Sequence, residues 1–134
     1  MKLKDYKAAI LSFDSAITVE PKLAKNYYYR GFCENKLTDY KSALADYDKV
    51  IIIDSAFNDI YFSRGTVKWH LMNYKGAIAD LDKSIIIKPN DADSYLNRGL
   101  AKSDLADYYG AISDYDKVIE LKPSYAKAYD DRGF

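Results

Sequence analysis

The side chains best placed to do chemistry are four arginines, Arg30, Arg64, Arg98 and Arg132, each followed by a glycine. A guanidinium offers five donors in a planar fork that matches a carboxylate or a phosphate two bonds at a time. Two readings follow. The arginines could form a ladder that grips acidic peptides or phosphates, or each could be tied to an aspartate on a neighbouring helix, within or between structural units. Asp46, Asp80 and Asp114 stand sixteen residues after Arg30, Arg64 and Arg98, and a partly buried charge generally has a partner. The nearly one-to-one ratio favours the second reading, with Arg30, Asp46, Arg64, Asp80, Arg98 and Asp114 as structural ion pairs.

The remaining reactive groups are isolated. His70, the only histidine, stands beside Trp69 with no second histidine or cysteine pair to complete a metal site. With no nucleophile at a readable spacing, it is expected to serve the surface or a groove. Cys33 takes the place of Val67 and Ala101 in the pattern described next, which makes it a small packing residue with an inert thiol. Carboxylate pairs such as Asp46 with Asp48 recur along the chain and read as ion-pair partners and solvated faces rather than acid–base pairs. Phosphate-binding glycine loops and nucleophile elbows do not occur. The chain is therefore not expected to be an enzyme, and no catalytic residue, metal or cofactor is assigned.

A repeat positions these residues. Arg-Gly returns every 34 residues without insertion or deletion. The same step links Tyr6, Tyr40, Tyr74 and Tyr108; Ala9, Ala43, Ala77 and Ala111; and Asp14, Asp48, Asp82 and Asp116. Each period carries two apolar stripes at three-to-four spacing, the mark of amphipathic helices. Over residues 92–125 the first stripe is Tyr95, Leu96, Gly99, Leu100 and Leu105, and the second is Ala111, Ile112, Tyr115, Val118, Ile119 and Leu121. Asp107 lies between them as an N-cap for the second helix, with Asp5, Asp39 and Asn73 in the same place. Pro21, Pro89 and Pro123 stop the second helices, since proline lacks the N–H and its ring clashes with the preceding turn. Ser55 replaces proline once, and that helix is still expected to end there, less rigidly.

The recurring tyrosines, the glycine, the alanine after the turn, the large residue at Phe13, Tyr47, Leu81 and Tyr115, and the terminal proline together resemble the tetratricopeptide repeat, over the whole chain. Arginine before the glycine, where the family often has leucine, resembles a common sub-pattern. The resemblance implies an all-α fold, a right-handed α-α superhelix of helix-turn-helix units, with Gly31, Gly65 and Gly99 close against Ala43, Ala77 and Ala111. The units are a partial repeat over 1–23, full repeats over 24–57, 58–91 and 92–125, and a partial repeat over 126–134. Beginning and ending inside a unit suggests a fragment of a longer array. The two ends are nearly complementary, so copies are expected to stack head to tail, 126–134 of one on the helix 6–19 of the next.

The resemblance further implies a concave groove, lined by first helices, that receives a protein or peptide. Its candidate residues are Tyr28, Phe32, Phe62, Thr66, Trp69, His70, Leu96 and Leu100, an aromatic and aliphatic stripe of the composition found in binding hot spots. One branch of the family clamps the C-terminal carboxylate of heat-shock chaperones with Lys, Asn and Arg. Here those places hold Tyr28, Phe32, Ser63, Asp93 and Asn97. Without the cations, an apolar or mixed ligand is expected instead. The alternative is a spacer or self-assembly element. Lys plus Arg and Asp plus Glu both total 20, so the field that would attract nucleic acid is missing. The longest apolar runs, 51–53 and 85–87, are too short to span a membrane. Ile52 and Ile86 stand where sister units have Thr18 and Glu120, and are expected to look outward. A lone cysteine requires no oxidising compartment, which slightly favours the cytoplasm and assigns no location.

Overall fold

In a computed structural model, residues 2–124 are described. They form seven helices: α1 (Leu3–Val19), α2 (Ala24–Lys36), α3 (Tyr40–Ile53), α4 (Ile60–His70), α5 (Tyr74–Ile87), α6 (Ala92–Asp104) and α7 (Tyr108–Leu121). Each helix packs on the next in sequence, and the first helices α4 and α6 also touch. The result is an all-α helical-repeat solenoid. Arg132, the segment 126–134 and the stacking expected of it lie outside the described residues.

The turns between first and second helices share one solution. Asp39, Asn73 and Asp107 accept hydrogen bonds from the backbone N–H of Ser42, Gly76 and Gly110, satisfying a donor the helix leaves orphaned. The residue before each cap is left-handed: Thr38 at φ 61°, Met72 at φ 63° and Ala106 at φ 62°. None is glycine, so each turn carries a backbone cost of about 1–2 kcal/mol. Two bonds hold each turn. Thr38 N–H donates to Asn35 O and Asp39 N–H to Glu34 O, with the same pattern at Met72 and Asn73 and at Ala106 and Asp107.

Asp5 departs from the expected pattern. It lies inside α1, at the third helical position, where its carboxylate accepts from the Lys2 backbone N–H. The helix has already begun there, with Lys2 as its N-cap, so Asp5 supports the first turn from within instead of capping it. Ser55 behaves as expected in one respect. α3 stops at Ile53 as α5 stops at Ile87, and Asp54 accepts from the Ala56 N–H just beyond. The looser connection shows on the far side, where Asn58 is left-handed at φ 44° and α4 starts only at Ile60.

The core lies within hairpins and between them. One cluster joins Ala24, Tyr27, Ala43, Tyr47, Val50, Ile60 and Val67 across α2, α3 and α4. Another joins Ala92, Leu96, Ala111, Tyr115 and Val118 across α6 and α7. α1 has no buried residue, and its Leu3, Leu11 and Val19 are exposed. Ile52 and Ile86 do look outward, at 77% and 79% exposure.

The small residues mark close approach, and at Gly31 and Gly99 the nearest atoms belong to the tyrosine and aspartate of the facing helix rather than to the expected alanine. A Cβ on Gly31 would lie 2.8 Å from the Tyr47 ring, and one on Gly99 would lie 2.6 Å from the Tyr115 ring; only at Gly65 does the corresponding alanine enter, through Ala77 O at 3.3 Å. Tyr115 is 2% exposed and has no room to retreat. Gly99→Ala gains about 1 kcal/mol of helix propensity, but overpacking against a fixed ring costs about 1–3 kcal/mol. A net fall in the urea midpoint is expected, larger than for Gly65→Ala, whose Cβ would meet its neighbours at 3.1–3.3 Å.

Candidate functional site

Two constructions could meet a ligand: the row of arginines and the face of the first helices. The arginines come first because their chemistry is the stronger. Arg30, in α2, donates through Nε and Nη2 to Asp46 of α3 at 2.8 and 2.6 Å, and through Nη1 to Asp14 of α1 at 2.9 Å. Arg64 repeats this with Asp80 and with Asp48, and Arg98 with Asp114 and with Asp82. Each guanidinium thus spans the aspartates sixteen residues before and after it. Asp46, Asp80 and Asp114 are buried, whereas the side chains of Asp14, Asp48 and Asp82 are about half exposed. The ring of Tyr27, Tyr61 or Tyr95 lies under the guanidinium at 5.5–5.8 Å. All three nitrogens of each fork are engaged, and the hydrogen bond to the buried aspartate does most to hold the arginine pKa above its ordinary value.

The second partner, Asp14, Asp48 or Asp82, is periodic in the sequence but was not linked there to the arginine. The signal was available: these residues stand sixteen positions before each arginine, as Asp46, Asp80 and Asp114 stand sixteen after.

A lysine one helical turn on adds a further cation in two units. Lys68 reaches Asp80 at 3.2 Å, and Lys102 reaches Asp114 at 3.1 Å. The same place in the first unit is Glu34. Its Oε1 is buried without a hydrogen-bond partner. Burial first, and then the facing carboxyl of Asp46, push the Glu34 pKa up to about 9. Comparing residues 34, 68 and 102 in the sequence would have revealed the exchange.

Along the first helices, the expected groove residues divide. Tyr28, Phe32, Phe62 and Thr66 line a cavity of about 260 Å³ together with Asn35, Tyr47, Asp59 and Ser63. Thr66, Trp69, His70 and Leu100 line a second, of about 180 Å³, with Leu81 and Asn97. Thr66 belongs to both. Leu96 does not line either cavity: at 9% exposure it is core, packed with Ala92 and Tyr115. Tyr28 stands at the equivalent place in α2 but is too long to sink fully, and its ring meets Tyr29, Tyr47 and Phe57.

Trp69 is fixed by an indole bond to Asp104 Oδ2 at 2.7 Å, a pairing that no spacing in the chain announces. His70 lies flat on Tyr40, with ring centroids 4.3 Å apart and planes 3° apart. Burial lowers its pKa, leaving the imidazole neutral near pH 7. Asn97 Nδ2 reaches Thr66 Oγ1 at 3.4 Å. Cys33 is buried, and burial raises its thiol pKa, which fits an inert packing residue. No helix among the described residues is long and apolar enough to cross a membrane.

Paired helices stacked through a shared core, with glycine at the contacts, define a helical-repeat protein. Residues 92–125 match the tetratricopeptide-repeat family model, and the fold of the chain is that of tetratricopeptide-repeat proteins. The chain superposes on the crystal structure of MamA with a TM-score of 0.93 at 22% identity, covering 97% of this chain and 76% of that one. It matches YrrB, described as a tetratricopeptide-repeat protein with an unusual peptide-binding site, at 0.87 and 23%, over 97% and 67% of the two chains. It matches the first tetratricopeptide-repeat domain of Spaghetti (RPAP3), solved with the HSP90 peptide SRMEEVD, at 0.76 and 24%, over 81% and 86%. No curated protein matches the sequence.

Two outcomes test the arginine row and its exception. Arg64→Leu strands the buried carboxylate of Asp80 with Lys68 alone; removing one member of such a pair should cost about 3 kcal/mol in urea unfolding. For Glu34 the raised folded pKa sets the sign. Its contribution to stability is complete below the ordinary glutamate range and is lost as pH rises through about 9. Glu34→Gln removes this dependence, so the stability of variant and wild type should coincide near pH 4 and diverge in the variant's favour by pH 9.

Proposed function

We propose that the chain is a non-catalytic module that binds a protein or peptide along the face of α2, α4 and α6. The observation that carries this reading is the pair of largely apolar clefts that meet at Thr66. Apolar clefts with a few polar groups are the usual form of a ligand site. The groove residues are Tyr28, Phe32, Phe62, Thr66, Trp69, His70 and Leu100.

The arginines are structural in this reading. In Arg30, Arg64 and Arg98 all three nitrogens are bonded to Asp14, Asp46, Asp48, Asp80, Asp82 and Asp114, so these guanidinium groups already hold carboxylates where a phosphate would bind. Catalysis finds no support in a histidine stacked on Tyr40 or a buried cysteine. The domain solved with SRMEEVD holds a peptide with an acidic end. Here Asp59 lines one cavity and Asp93 stands where the chaperone clamp would place a cation, so an apolar or mixed ligand suits the groove better. Nucleic acid and membrane are not proposed partners.

A second reading is a spacer or assembly element, in which copies associate head to tail. It is favoured by α1, which offers Leu3, Leu11 and Val19 to solvent at 64%, 68% and 79% exposure.

Selection from a random peptide library separates the two. Wild type should enrich a set of peptides whose affinity falls at least about tenfold in the Phe62→Ala, Trp69→Ala double variant, as loss of hot-spot aromatics does. A library that enriches nothing on either protein would remove the groove reading and leave the assembly reading standing.

A further inference from the structure

The smaller cavity has features that narrow its ligand. Its apolar lining is Trp69, Leu81 and Leu100, and its polar lining is Thr66, His70 and Asn97. At about 180 Å³ it exceeds the ~150 Å³ that holds a benzene ring in an apolar protein cavity, so it has room for one bulky side chain. Beside it stands Asp104, exposed at the last position of α6 and bonded through one oxygen to Trp69. A carboxylate keeps further acceptor sites after one such bond.

The helix ends and the carboxylate at this edge are negative. α4 ends at His70 and α6 at Asp104, so the negative ends of both helix dipoles lie at the same side of the cavity. Lys68 and Lys102, the lysines in those last turns, are drawn onto Asp80 and Asp114. His70 contributes no charge near pH 7, because burial lowers its pKa. The larger cavity differs: Lys36 lies over the Phe32 ring at 5.3 Å, and Asp59 is within 3.8 Å of Lys88. Its carboxylate is paired with a lysine and a second lysine stands at its wall, whereas the carboxylate beside Trp69 is bonded to the indole.

We propose that the Trp69–Leu81–Leu100 cavity takes one bulky apolar side chain of an extended peptide, and that a lysine or arginine adjoining that side chain sits against Asp104. The proposal rests on the groove reading above and adds a ligand class to it, an apolar-basic segment. Neighbouring helices lie roughly 10 Å apart, and an extended chain advances about 3.3 Å per residue. A second apolar residue about three positions away would therefore reach the larger cavity through the shared Thr66 wall.

Trp69 is the only tryptophan, so its emission reports this cavity alone. The test titrates blocked peptides, Ser-Gly-Phe-Lys-Gly-Ser and Ser-Gly-Phe-Glu-Gly-Ser, into the full chain, followed by calorimetry and by Trp69 emission. The lysine peptide should bind roughly fivefold to tenfold tighter at low salt, the scale of one partly exposed charge contact against one repulsion. The preference should shrink at 0.5 M salt and vanish in Asp104→Asn, whose unchanged circular dichroism and melting would exclude unfolding. Equal binding of both peptides, or heat of binding without a Trp69 response, would overturn the inference and leave the groove reading intact. No heat with any peptide would overturn both.

Discussion

The rest of the structure depends on a guanidinium shared between two second helices. Arg30, Arg64 and Arg98 each bind the aspartate of their own hairpin through two nitrogens and that of the preceding hairpin through the third. A stacked array of short hairpins has no contacts across long distances and must be held by each unit and its neighbour. The arginine serves both, since it closes the hairpin and ties it to the one before. Its charge could enter this partly buried place only because two carboxylates meet it and a tyrosine ring lies beneath.

That arrangement explains which parts of the molecule the sequence made legible. The 34-residue step required of Arg, Asp, Tyr and Gly is a strict geometric demand, so the helix pairs and the buried Arg–Asp pairs could be read from spacing alone. Residues released from the step were harder. Leu96 looked like part of an exposed stripe because it is apolar and on a first helix, yet leucine is short enough to sink against Tyr115 where Tyr28 cannot. Asp5 matched a cap by count, but α1 begins two residues earlier, with Lys2 at its cap and Asp5 inside the first turn. Glu34 drew no notice because a glutamate on a helix is ordinary until Asp46 is seen beside it.

The groove follows a different logic. Its residues are free of the period, so no spacing rule could say which side chains would leave space between them. Cavities arise from mismatched sizes: Thr66 and Asn97 are too small to fill the gap that Trp69, Leu81 and Leu100 frame. The same freedom that hides a binding face from sequence reasoning lets it change between proteins of one fold. The likeness to MamA, YrrB and the RPAP3 domain is accordingly a likeness of scaffold.

The connection through Ser55 and Asn58 shows what joins neighbouring hairpins. It lacks the proline of its sister connections and starts α4 late. Across it, however, run the Arg64–Asp48 bridge and a core in which Val50 meets Ile60 and Val67. A backbone cut between Ser55 and Phe57 would therefore leave two pieces still bound along an intact seam, much as a hinge pin can be removed from a door that its frame continues to grip.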